Sequence, residues 1–163
     1  MMKNKGFSLT ELVIVVAVAG SIFTIGSQIL IQVNRFVQLN RVRIDLQRDA
    51  RVVFSLINRN LRQAGTNSIS IDRHSSAQPP YSRIGFTKID GRTYTFYQDG
   101  TKLIMSTQQG SRTLTEDVAY LAFTPPTSED LSIISVSLTL EKAIYEGGTK
   151  SIHMASEKVQ VMN

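Results

Sequence analysis

The sequence predicts an α+β fold in which one long N-terminal helix is followed by an antiparallel β-sheet. Three observations carry that prediction. Residues 12–31 hold no formal charge, no proline interrupts the chain before Pro79, and from Arg83 onward apolar residues recur with period two. The first half of the helix is long enough to cross a bilayer, because a helix rises about 1.5 Å per residue and the hydrocarbon core is about 30 Å thick.

The second half of the helix is amphipathic. Leu46, Ala50, Val53, Ile57, Leu61 and Ala64 step by three and four with Phe54 alongside, while Arg48, Asp49, Arg51, Arg59 and Arg62 fall largely off that line. Such a stripe needs a partner, expected to be the sheet. The helix is expected to run to about Ala64, with Gly65 as its C-terminal stop and Arg62 in a last turn whose dipole favours cations. Gly20, Gly26 and Ser27 mark places where the apolar half would loosen or admit a close neighbour.

Residues 66–82 read as a polar loop containing Pro79-Pro80, with Ile69 and Ile71 leaving room for a short strand. Residues 83–89, 92–98 and 101–107 read as a three-stranded meander turning at Asp90-Gly91 and Asp99-Gly100. Tyr94, Phe96, Leu103 and Met105 fall in register for one buried face. Residues 118–124 form a strand stopped by Pro125-Pro126, residues 131–140 alternate as a half-buried strand, Glu146-Gly147-Gly148 turns the chain, and residues 152–161 close the sheet. One sheet of about five or six strands is expected.

The start of the chain carries the functional signal. Lys3 and Lys5 precede Gly6, and Glu11 is a lone carboxylate at the mouth of the apolar run, costly there unless paired or able to reach the interface. The stretch Gly6-Phe7-Ser8-Leu9-Thr10-Glu11-Leu12 resembles the processing site of type IV prepilins and type II secretion pseudopilins. That resemblance implies a leader of residues 1–6 bearing Lys3 and Lys5, cleavage between Gly6 and Phe7 by a prepilin peptidase, and N-methylation of Phe7. It also implies that Glu11 pairs with a neighbouring subunit's terminal amine during assembly. Residues 7–33 would then be the transmembrane and assembly helix, and residues 34–163 a periplasmic pilin-like domain.

Further along, Arg48-Asp49-Ala50-Arg51, Leu56-Ile57 and Asn60-Leu61-Arg62-Gln63-Ala64-Gly65 resemble the helix end of J-type minor pseudopilins and related minor pilins. Residues 114–123 and Val136-Ser137-Leu138-Thr139-Leu140-Glu141 have a similar look. The chain departs from major pilins in having no cysteine for a C-terminal disulfide and no kinking proline near Gln28. In the related secretion systems the subunit at the extreme tip departs from the glutamate, so Glu11 implies another subunit beyond this one.

Two plainer readings compete. A simple membrane anchor explains the lysines and the apolar run but leaves Glu11 without a role. A secretory signal would be cut after Ala17-Val18-Ala19, before Gly20, yet the chain stays apolar through Ile31. N-terminal sequencing separates them, with Phe7 or Gly20 as the first residue.

The net charge of +5 falls to +3 without Lys3 and Lys5, and the excess concentrates between Arg35 and Arg62. Arg41, Arg48, Arg51, Arg59 and Arg62 form the expected partner-contact face. Arg35, Arg41, Arg43 and their neighbours would suit phosphates, but no aromatic platform accompanies them, and Asp45 and Asp49 lie among them for ion pairs, Asp45 at i, i+4 from Arg41 and i, i+3 to Arg48. Nucleic acid is therefore not the expected partner. Asp72, His74 and Ser75 lie side by side in a loop, unlike a catalytic triad assembled from distant segments. His153 alternates with Ile152 and Met154 as a half-exposed strand residue, and two distant histidines without cysteine do not make a zinc site. Calcium would have to use Ser128-Glu129-Asp130 or Glu116-Asp117, neither with the oxygen spacing of a calcium loop. Glu146-Gly147-Gly148-Thr149-Lys150 lacks the spacing of a phosphate loop.

The expectation is a non-enzymatic minor pilin or pseudopilin without cofactor. It would insert in the bacterial inner membrane with its lysine-bearing leader cytoplasmic by the positive-inside rule. Its partners would be the assembly platform, the major subunit and other minor subunits, with which it would start or cap a filament at the tip. The rival is a membrane-anchored DNA-uptake or adhesion module using residues 66–82 and 124–130.

Overall fold

The computed structural model describes residues 8–125, 132–144 and 150–162. Helix α1 (Leu9–Leu61) leads into a 3-10 turn (Thr66–Ser68) and eight strands. These are β1 (Ser70–Asp72), β2 (Arg83–Thr87), β3 (Thr93–Asp99), β4 (Lys102–Thr107), β5 (Gly110–Thr115), β6 (Val118–Thr124), β7 (Ile133–Ala143) and β8 (Lys150–Gln160). The chain divides into two units, one up to Asn40 and one from Arg41.

In the first unit α1 stands uncovered among the described residues. Every large apolar side chain from Leu9 to Val37 is exposed, and this is the one described helix long and apolar enough to cross a membrane. Its hydroxyls are satisfied within the helix. Ser21 Oγ donates to the Ala17 carbonyl at 2.9 Å, Thr24 Oγ1 to that of Ser21 at 2.9 Å, and Ser27 Oγ to that of Thr24 at 3.0 Å. Bonds of this kind let polar residues sit in hydrocarbon without an orphaned group. The helix runs unbroken through Gly20, Gly26 and Ser27.

In the second unit α1 buries Leu46, Ala50, Val53, Phe54, Ile57 and Leu61 in one core with Ile84, Phe86, Phe96 and Leu103 and with Leu121, Phe123, Val136 and Leu138. Fully burying a side chain of this size contributes about 1.5–3 kcal/mol relative to exposure. The helix ends at Leu61 rather than Ala64, and Gly65 is extended (φ −74°, ψ 125°), not the left-handed stop expected. Docking ends it instead. The Gly65 N–H donates to the Thr87 carbonyl at 3.0 Å, while the carbonyls of Gln63 and Arg62 accept from the N–H groups of Ile89 and Met162, each at 3.3 Å. These bonds take over groups left open at a helix C-terminus, and Arg59, not Arg62, occupies the last turn.

The strands form two sheets, ordered β1-β2-β3-β4-β5 and β6-β7-β8, all pairs antiparallel, instead of the single sheet expected. Strand β6 does not extend the first ladder. Its edge is held by two separate bonds, Val118 N–H to the Thr101 carbonyl and Phe123 N–H to the Tyr81 carbonyl, both 2.8 Å. Tyr81 accepts from a left-handed conformation (φ 65°) that costs a non-glycine residue about 1–3 kcal/mol.

The meander forms with small shifts. Ile89-Asp90-Gly91 is a three-residue loop with Gly91 at φ 79°, closed by Lys88 N–H to the Arg92 carbonyl at 2.9 Å. Pairing of Asp99 with Lys102 makes Gly100-Thr101, not Asp99-Gly100, the second turn, with Gly100 at φ 58°. Phe96 and Leu103 are buried on the expected face, with Tyr94 and Met105 half-buried beside them. Strand β1 fills the room left around Ile71, and β5 has no counterpart among the expected strands. The turn expected at Glu146-Gly147-Gly148 and the start of β7 at Leu131 lie outside the described residues.

Ile57 is 0 % exposed and belongs to the one core that residues of both sheets share, so Ile57→Ala should lower unfolding free energy by about 2–5 kcal/mol. Arg59→Ala, two residues on and on the exposed face, should change it by no more than about 0.5 kcal/mol. Denaturant unfolding of the full chain in detergent, followed by circular dichroism, measures both.

Candidate functional site: the helix start and the arginine face

Glu11 lies in the first turn of α1, and the structure gives it a partner in its own chain. The Ser8 N–H donates to Glu11 Oε2 at 3.2 Å, and the Glu11 N–H donates to Ser8 Oγ at 3.3 Å. This reciprocal pair is a capping box, satisfying two backbone donors that the start of a helix leaves open. Ser8 Oγ also lies 2.6 Å from Thr10 Oγ1. The carboxylate stands where the helix dipole favours negative charge. The Ser-x-x-Glu spacing of Ser8 and Glu11 announces this cap in the sequence. Lys3, Lys5, Gly6 and Phe7 lie outside the described residues.

The five arginines of the expected contact face are all exposed. Arg41, Arg48, Ser55 and Arg62 follow one another at intervals of seven, with Arg51 and Arg59 within one turn of that line, opposite the buried stripe of Leu46, Ala50, Val53 and Ile57. The ion pairs expected with Asp45 and Asp49 do not form. Among the described residues all five ion pairs lie on strands or their turns: Arg83–Asp72, Arg92–Asp90, Lys102–Glu116, Lys142–Asp117 and Lys150–Glu141. Arg62 donates to Met162 Sδ at 3.4 Å instead. A stretch of helix dense in cations, with Asp45 and Asp49 unengaged beside them, presents uncommitted charge.

The discounted clusters are engaged separately. Asp72 pairs with Arg83 at 3.4 Å, His74 stacks on Tyr97 with ring centroids 4.2 Å apart, and Ser75 Oγ accepts from the Ala77 N–H at 3.3 Å. Glu116 and Asp117 meet Lys102 and Lys142 at 3.0 and 3.2 Å. No group of three metal-binding side chains occurs among the described residues, and Ser128-Glu129-Asp130 lies outside them. His153 is half-buried, as expected. The outward face of the β6-β7-β8 sheet carries Tyr120, Ile152 and Met154 exposed, a patch that the strand pattern did not bring out.

The geometry defines an α+β protein whose single N-terminal helix begins as an uncovered apolar segment, suited to anchoring in a membrane, and ends as the core of a two-sheet domain. No family model, curated protein or solved structure matches the chain.

The cap is testable by amide exchange at Ser8 in detergent micelles. Glu11→Ala removes the acceptor and should speed exchange about fivefold, the equivalent of about 1 kcal/mol. Glu11→Gln keeps an acceptor oxygen and should stay within about twofold of the parent.

Proposed function

We propose that this chain is a non-enzymatic minor subunit of a type II secretion pseudopilus or a type IV pilus, starting or capping the filament at its tip. The observation that carries the reading is the placement of Glu11. It is a carboxylate in the first turn of a helix whose next twenty residues are uncharged and uncovered, while the far end of the same helix is built into a folded domain. The resemblance of residues 6–12 to a prepilin processing site supports cleavage between Gly6 and Phe7 and methylation of Phe7.

Mechanism follows from the solvent on each side. Leaving lipid for a bundle of like helices changes little apolar exposure, so register must come from polar contacts. Glu11 first satisfies its own Ser8 amide; in assembly it accepts a neighbour's terminal ammonium, a stronger bond in a low-dielectric setting provided both charges are met on arrival. Assembly is thus an exchange of donors on one carboxylate.

Orientation with the domain in the periplasm is part of the proposal and leans on the processing motif. Flanking charge argues the other way. Lys3 and Lys5 precede the span, while Arg35, Arg41, Arg43 and Arg48 follow within seventeen residues of Ile31, so the positive-inside rule taken alone favours a cytoplasmic domain.

A second reading, a membrane-anchored DNA-binding or adhesion module, draws on the unpaired arginines of α1. Phosphate binding by them would fall steeply with salt, a dependence that a polarisation titration reads directly.

In cells with an intact prepilin peptidase, mass spectrometry should find a chain beginning at N-methylated Phe7; retention of residues 1–6 would end the proposal. Glu11→Ala should be inserted and cleaved at parental levels but recovered in sheared filaments at least tenfold less, and parental recovery would remove the role given to Glu11. A periplasm-active phosphatase fused after Asn163 should be active, whereas a fusion active only in the cytoplasm would refute the orientation.

A further inference from the structure

We propose that the cavity between α1 and the inner face of β5 seats a carboxylate-bearing amphipathic helix of a sister subunit, an inference about the partner that rests on the subunit reading above. The cavity measures about 420 Å³ and is lined by Arg51, Val52, Ser55 and Leu56 of α1 and by Arg112 and Leu114 of β5. Pairing of Arg112 with Met105 puts it on the same side of the sheet as Phe96, the side that α1 covers. Coverage stops short of the sheet edge, and the trough is what remains.

Its floor is apolar and its rim cationic. Leu56 and Leu114 are half-buried against the core, and Val52 is 60 % exposed on the wall. Neither Arg51 nor Arg112 has a carboxylate partner among the described residues, because the ion-paired acids are taken by cations of the strands and their turns. Two guanidinium groups beside an apolar floor match a carboxylate flanked by apolar side chains, and arginine can hold a carboxylate through two parallel bonds.

The occupant is a helix rather than an added strand. Side chains of β5 face the trough, not its open backbone edge, and the register shift between Leu103 and Ile104 against β5 makes that edge a poor template for pairing. A trough of this volume takes the two or three side chains that one helix row presents at i, i+3 or i+4 and i+7. A second copy of this chain is disfavoured, because its own α1 would bring Arg41, Arg48 and Arg59 against Arg51 and Arg112, and these outnumber Asp45 and Asp49 on the same stretch. The partner is therefore a different subunit with acidic residues on the corresponding part of its helix.

The chain has no cysteine, so Ser55→Cys can be labelled uniquely with a maleimide benzophenone in native membranes. Irradiation should join it to a helical segment containing Asp or Glu in another filament subunit. Arg51→Glu combined with Arg112→Glu should cut that conjugate at least tenfold, and changing the captured carboxylate to Lys should restore it. Lys158→Glu, on β8 of the other sheet and away from the trough, should leave it within about twofold. A conjugate only with lipid or a second copy, no conjugate, or one indifferent to the double reversal would overturn the inference. If the chain is correctly cleaved at Phe7 in that experiment, only the trough assignment falls; if residues 1–6 are retained, the subunit reading falls and takes the partner's identity with it.

Discussion

One helix has to satisfy two solvents, and the rest of the molecule follows from that constraint. From Leu46 to Leu61 a stripe of six side chains is removed from water by two sheets, while from Leu9 to Val37 no side chain of comparable size finds cover. In water the second condition would be unsustainable over so long a stretch, because exposed apolar surface of that extent drives association. The uncovered part is tolerable in hydrocarbon or against other helices, and its serines and threonines already spend their hydroxyls on the turn before them.

The sheets answer the lower half of the helix. Neither alone supplies the whole wall: Ile84, Phe86 and Phe96 come from the first, Val136, Leu138 and Leu140 from the second, and Ile57 belongs to the core both share. The split between them is made by the loops ending at Tyr81 and Thr101, whose carbonyls occupy donors of β6 that a ninth strand or a continuous ladder would otherwise need. With no cysteine available, strand pairing and this packing hold the domain.

What could be read from the sequence was whatever had a period. The buried stripe of α1, the hairpins around Gly91 and Gly100, and the alternation of β7 carry a repeating signal over many residues. Strand β5 does not, since Leu114 is its one large apolar residue and Arg112 occupies a position on the core side. The division into two sheets depends on two backbone bonds to loops, and nothing in a strand's own side chains records it. Gly65 misled because a glycine after a helix most often marks a left-handed turn; here the sheet takes the helix end before any such turn forms. At the functional end the reverse happened. Ser8 and Glu11 have the spacing of a cap, but the uncharged run that follows the carboxylate points as strongly to a partner outside the chain. Asp45 stands four residues after Arg41 and three before Arg48 and pairs with neither, as surface pairs gain little for the side-chain freedom they lose, and Asp49 has no cation three or four residues away.

The manner in which α1 terminates also fixes how the domain bears load. Its last carbonyls and the residues just after it are bonded to Thr87 and Ile89 in one sheet's hairpin and to Met162 beyond the end of the other. Any pull along the helix is therefore divided between two separate sheets instead of falling on one. The folded head is thus tethered to the end of its helix at two points, one beside each sheet.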